Sequence, residues 1–134
     1  MRAELQFLVV DNVSNMRRLV SGLLKELGYA KICEAEDGEQ ALRLLRSSHE
    51  PALRIDFVIT DSEMPLMDGL ELLKAIRQDA NLCHLPVLMV TVDAKKANII
   101  AAAQAGADGY IVELSIATVR EKVDAILVKR KLSI

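Results

Sequence analysis

Five side chains that could do chemistry stand at the ends of short apolar runs. Asp11 and Asn12 follow LQFLVV, Asp61 follows IDFVIT, Thr91 closes LPVLMVT, and Glu113 follows the run from Asp108 to Val112. Carboxylate and amide oxygens are hard donors suited to a hard cation, and a hydroxyl beside them can hydrogen-bond an oxyanion. Such chemistry needs the groups side by side, although the sequence scatters them. Each also has a purely structural explanation. Asp or Asn after a strand is ordinary turn chemistry, Thr91 could simply end its strand, and Asp68-Gly69 reads as a turn. Asp61 stands apart, because it tips an apolar, partly β-branched strand that would be buried on both faces.

The elements that must position these groups are legible in the periodicity. Leu5 to Val10, Lys31 to Ala35, Ile55 to Thr60, Leu85 to Thr91 and Asp108 to Val112 read as strands. Between them the apolar spacing turns helical. Leu19, Val20, Leu23, Leu24 and Leu27 mark a first helix, with Ser14 as N-cap and Gly28 just past its end. A second helix, Gly38 to Ser47, buries Ala41, Leu42 and Leu45, and a connecting loop with His49 and Pro51 follows. Gly69 to about Asp79 repeats Leu70, Leu73, Ile76 and Arg77. Ala94 to Ala105 is Ala-rich and stops at Gly106, and Ile116 to Lys129 carries Val119, Val123, Ile126 and Leu127 on one face. The pattern is (βα)5, an α/β fold with a doubly wound five-stranded parallel sheet and right-handed crossovers, using residues 1–134 as one domain. In such sheets ligands bind beyond the C-terminal strand ends. That rule alone brings Asp11, Asn12, Asp61, Thr91 and Glu113 to one edge.

Composition removes several function classes. Aromatics are 3% with no Trp, which leaves no platform for stacking bases or sugars, and a net charge of −2 gives no attraction to nucleic acid or anionic membrane. The one dense basic run, Lys129-Arg130-Lys131, reads as a solvated helix end. No apolar run reaches the ~20 residues of a membrane span. Cys33 and Cys83 lack metal or CxxC spacing and no signal peptide precedes the first strand, so a cytosolic protein with both thiols reduced is expected.

FLVVD, MRRLV, LLKELGY, AEDGEQAL, MPLMDGLELLKAIR, LPVLMVT and AKKANIIAAAQAGADGY together resemble the receiver domain of two-component response regulators, and within it the single-domain, CheY-like chemotaxis regulators. The resemblance covers about nine-tenths of the chain. It implies a flavodoxin-like sheet of order 2-1-3-4-5, and a phosphoryl group passed from a sensor histidine kinase or phosphotransfer protein to Asp61. It also implies Mg²⁺ held by Asp11, Asn12, Asp61 and the backbone carbonyl of Glu63, which neutralises and aligns the phosphoryl oxygens. Thr91 matches the hydroxyl that meets the phosphoryl group and Tyr110 the aromatic whose rotation reports it. Downstream protein targets would dock on the face formed by the fourth helix, fifth strand and fifth helix. No enzyme activity beyond assisting its own phosphorylation and dephosphorylation is implied, and no membrane or nucleic-acid partner.

Three departures fall inside the site. Asn12 replaces the family's second acid with a neutral oxygen, and Glu113 replaces the lysine that grips the phosphoryl oxygens. A carboxylate at about 4 Å from a phosphoryl charge costs roughly 4 kcal/mol per charge pair at an effective dielectric near 20. Leu114 stands where the family has proline, in a loop one residue shorter, so the loop should take a different path. Three readings are open: a receiver with impaired or atypical phosphorylation, a phosphorylation-independent pseudo-receiver adaptor, and a flavodoxin-like ligand binder or small hydrolase. The last lacks support, because DNVSN has no phosphate-cradling glycines and neither His49 nor His84 lies near the expected mouth.

Overall fold

A computed structural model describes residues 4–47, 54–91 and 96–130. The strands are β1 (Gln6–Val10), β2 (Lys31–Ala35), β3 (Phe57–Asp61), β4 (Val87–Val90) and β5 (Gly109–Ile111). They alternate with α1 (Ser14–Glu26), α2 (Gly38–Ser47), α3 (Gly69–Gln78), α4 (Lys96–Gln104) and α5 (Ile116–Arg130). All strand pairs are parallel, in the order β2-β1-β3-β4-β5. The chain thus starts at an inner strand, crosses to one edge, and returns past β1 to build the other side. The boundaries differ from the sequence expectation at several ends: β3 starts two residues later and includes Asp61, β4 stops before Thr91, and β5 is shorter at both ends. The expected starts of α4 at Ala94 and of the loop at His49 and Pro51 lie outside the described residues.

Side-chain alternation along the strands builds two cores. Leu8, Val10, Val58, Val87 and Met89 meet Ala41, Leu42 and Leu45 of α2, Leu72, Leu73 and Ile76 of α3, and Ala102 of α4. Phe7, Val9, Phe57, Ile59, Leu88, Val90 and Ile111 meet Val20 and Leu24 of α1 and Val119, Val123, Ile126 and Leu127 of α5. This is why the strands read as continuous apolar runs: neither face sees water. Leu19, expected on the buried stripe of α1, is instead 47% exposed. The sheet takes only the narrower face carrying Val20 and Leu24.

Local stops follow the chain's chemistry. Gly28 (φ 101) ends α1, with its N–H donating to Lys25 O and that of Tyr29 to Leu24 O, a Schellman closure that needs the left-handed residue. At the other end, Val13 rather than Ser14 is the N-cap and supplies no side-chain bond.

The end of the sheet opposite Asp61 is tied by a network that sequence reading missed. The Asp108 carboxylate, 5% exposed, accepts from Arg77 at 3.0 Å, from Arg130 at 2.7 Å and from the Val87 N–H at 2.8 Å. Arg77 also donates to the carbonyls of Cys83, Leu85 and Gly106. Arg130 is therefore not the solvated tail cation its basic run suggested. It clamps α5 to the sheet, and Lys131 lies outside the described residues.

Candidate functional site

The C-terminal ends of β1, β3, β4 and β5 bring the candidate residues to one edge. Thr60 pairs with Val10 of β1 and Asp61 with Val90 of β4, so the residues just past these partners are Asp11 and Thr91. Asp11 is 8% exposed and Thr91 3% exposed, whereas Asn12, Glu63 and Glu113 are exposed. Asp11 sits in a tight turn, its N–H donating to Ala35 O at 3.1 Å and its Oδ1 accepting from Val13 N–H at 2.9 Å.

Asp61 is held from below. Gly69 N–H donates to Ser62 O at 3.0 Å, and a Cβ at Gly69 would collide with the Asp61 carbonyl oxygen and lie 2.8 Å from Ser62 Cα. The Asp68-Gly69 pair is accordingly more than the expected turn. Asp68 is the N-cap of α3, accepting from Glu71 N–H at 2.8 Å in a capping box, which fixes the helix start against the end of β3. Leu66 in the same loop has φ 68 and is 74% exposed, an uncommon backbone state for a branched side chain.

Electrostatics single out Asp61. Burial first, then the Asp11 carboxylate and, less strongly, that of Glu63 push it up to about 6, against the Ser62 and Glu63 N–H groups that pull it down. Asp11 is also raised, by burial, and opposed by Val13 N–H and the Arg17 guanidinium. Arg17 is a second residue missed in the sequence: it donates to Asp11 O at 2.7 Å and pairs with Glu34 at 2.8 Å. Its only sequence signal was a basic pair on the first turn of a helix that starts beside an acidic turn. Its partner Glu34 is assigned only by the β1–β2 pairing.

The donor set is oxygen throughout and carries negative charge, and among the described side chains no lysine or arginine pairs with Asp61. Among the described residues no three His, Cys, Asp or Glu side chains form a ready-made metal cage. Two buried-edge carboxylates with nearby neutral oxygens form an open, partial site, the arrangement that suits a cation retaining water ligands and completing its shell from a phosphoryl group.

The loop after β5 holds no cis peptide bond. Leu114 packs into the α1/α5 core, and Ser115 accepts from Thr118 N–H at 3.1 Å at the start of α5. Thr118 Oγ1 donates to Glu113 O at 2.9 Å. Backbone bonding by Ser115 and Thr118 thus replaces proline as the fixative, and the Glu113 carboxylate has no ion-pair partner among the described residues. Tyr110 is turned toward the α2/α3/α4 core. Its hydroxyl is buried without a hydrogen-bond partner among the described residues, and Tyr110 lines a cavity of about 180 Å³ with Ser62, Met89 and Ala102.

Comparison with known proteins agrees with this geometry. The response regulator receiver domain family model matches residues 7–124. The chain is 50% identical over 123 residues to the chemotaxis protein CheY-3 of Vibrio cholerae, covering 91% of each chain. It is 47% identical to the chemotaxis protein CheY of Pseudomonas aeruginosa, covering 91% of this chain and 95% of that one. Among solved structures, the response regulator TrrA of Thermotoga maritima in complex with Mg²⁺–BeF is 33% identical, with a TM-score of 0.78 over 92% of this chain and 99% of that one. No helix among the described residues is long and apolar enough to cross a membrane. With the Asp61 carboxylate at the end of β3 beside the buried Asp11, on a 2-1-3-4-5 sheet, the chain belongs to the response regulator receiver domain family, and its relatives are CheY-like.

Proposed function

We propose that this chain is a receiver that accepts a phosphoryl group on Asp61 from a histidine kinase or phosphotransfer protein, with slow or short-lived phosphorylation. The observation that carries this reading is the position of Asp61: it tips β3 beside Asp11, and burial and the neighbouring Asp11 carboxylate oppose its ionisation. In the transfer an Asp61 carboxylate oxygen forms the new P–O bond, the P–N bond of the phosphohistidine breaks, and the imidazole leaves with the bonding pair. Mg²⁺, which the Thermotoga relative contains, would be held by the Asp11 and Asp61 carboxylates, the Asn12 side chain and the Glu63 carbonyl. Bound there, it supplies charge neutralisation for the phosphoryl oxygens. In this reading Thr91 would meet the phosphoryl group, and Tyr110 would report it through the α4-β5-α5 face to a downstream protein.

Impairment follows from Asn12 and Glu113. A neutral amide weakens the cation site, and no lysine compensates the phosphoryl charge. Because Glu113 is exposed, its carboxylate can stay in solvent, and its main effect is the loss of the cation that would meet the phosphoryl oxygens. The alternative, an adaptor that works without phosphate in the same cytoplasmic signalling setting, draws on the same two residues. Incubation with Mg²⁺ and a small phosphodonor, followed by intact mass, separates them. Slow, substoichiometric labelling, abolished by Asp61→Ala and increased by Asn12→Asp with Glu113→Lys, is expected. Prompt stoichiometric labelling overturns the impairment. No labelling in either the wild type or the double variant leaves the adaptor as the function.

A further inference from the structure

A second concave site lies far from Asp61, at the opposite end of the sheet. A cavity of about 500 Å³ opens between the C-terminal ends of α2 and α3, the start of β3 and the turn before β4. Its floor is four buried aliphatic side chains, Leu45, Ile55, Leu82 and Leu85. Among the described residues the rim carries Arg46, Arg54 and His84 against one carboxylate, Asp79. The size falls within the range of about 300–1,000 Å³ typical of small-molecule sites, which combine an apolar lining with a few polar groups.

The charges are unequally satisfied. Asp79 Oδ2 takes Arg46 Nε at 3.4 Å, and its Oδ1 takes the Asn81 N–H at 2.9 Å. One Arg46 nitrogen is thus committed to a long contact. Arg54 has no ion-pair partner among the described residues. The neighbouring cations are accounted for elsewhere, since Arg77 and Arg130 are both committed to Asp108. Among the described residues the rim therefore keeps an excess of positive charge over an apolar floor.

We propose that this cavity binds a small amphiphilic anion, an apolar body carrying one carboxylate or phosphate head. The body would cover Leu45, Ile55, Leu82 and Leu85, and the head would be taken by the Arg54 fork with help from Arg46, in the paired N–H geometry that guanidinium offers to planar or tetrahedral oxyanions. A cationic ligand of the same body is disfavoured by Arg54, and a neutral one leaves the head position without a partner. The site shares no residue with the Asp61 mouth, so its occupancy can be read separately from phosphorylation.

The test is a two-dimensional amide NMR titration of the full chain with hexanoate, hexyl phosphate, hexan-1-ol and hexylamine at matched concentrations. Saturable shifts at Ile55, Leu82, His84 and Leu85 with an anion, and much weaker response to the alcohol and the amine, are expected. Whichever anion saturates at lower concentration identifies the preferred head. Arg54→Gln, an exposed substitution that leaves the aliphatic floor intact, should weaken anion binding about tenfold, and Arg46→Gln with Arg54→Gln should abolish it. Absence of saturable shifts with both anions, an equal response to hexan-1-ol, or full affinity in Arg54→Gln overturns the proposal.

Discussion

Replacing Asp61 by Asn should stabilise the fold, and the gain should depend on pH. A carboxyl titrating near 6 in the folded protein against 3.8 in an open chain disfavours the folded state once ionised, by about 3 kcal/mol at about 1.36 kcal/mol per pH unit. Asp61 is only half-buried, and solvent on its open side screens part of this, leaving roughly 1–2 kcal/mol. Because the folded value is raised, the associated stability is fully present below about 3.8 and is lost as pH rises through about 6. Asn removes the ionisation while keeping an acceptor for the Ser62 and Glu63 N–H groups. Urea unfolding at pH 7.5 and pH 4.5, without divalent cation, reads the difference. The Asn variant should gain ~1–2 kcal/mol at pH 7.5, falling to about a third of that at pH 4.5, with unchanged m-values. A loss of stability at pH 7.5, or an equal gain at both values, would refute the view that Asp61 is held against its electrostatic preference.

Three further outcomes follow from other sites. Asp108→Asn leaves Arg77 and Arg130 without their shared carboxylate and should cost about 3–5 kcal/mol, seen as a large fall in the thermal midpoint, whereas Arg130→Gln should cost less because that side chain is more exposed. Gly69→Ala drives a Cβ into the Asp61 carbonyl oxygen and should cost at least ~1–3 kcal/mol, with shifted Asp61 and Ser62 amide resonances. Leu66→Asn relieves a left-handed branched residue at an exposed position and should raise stability by about 1 kcal/mol in denaturant melts.

The sequence by itself determined the (βα)5 architecture, because strands buried on both faces must be apolar throughout and the helices between them show one apolar stripe each. It also located Asp11, Asp61 and Thr91, since strand ends in a parallel sheet converge whatever lies between them. Only the tertiary structure decided the rest. Whether Glu113 faces Asp61 depends on a loop path set by Leu114 packing and by the Ser115–Thr118 bonds, which no periodicity encodes. The raised titration of Asp61 comes from burial and from Asp11, a charge fifty residues away in sequence. The Asp108 clamp joins Arg77 with Arg130, which reads as part of a solvated helix end, and the two share one carboxylate only because α3 and α5 reach the same sheet edge. Short-range patterns record which face of an element is buried. Which polar groups meet depends on contacts between elements distant in the chain, and those exist only once the sheet has closed over both cores.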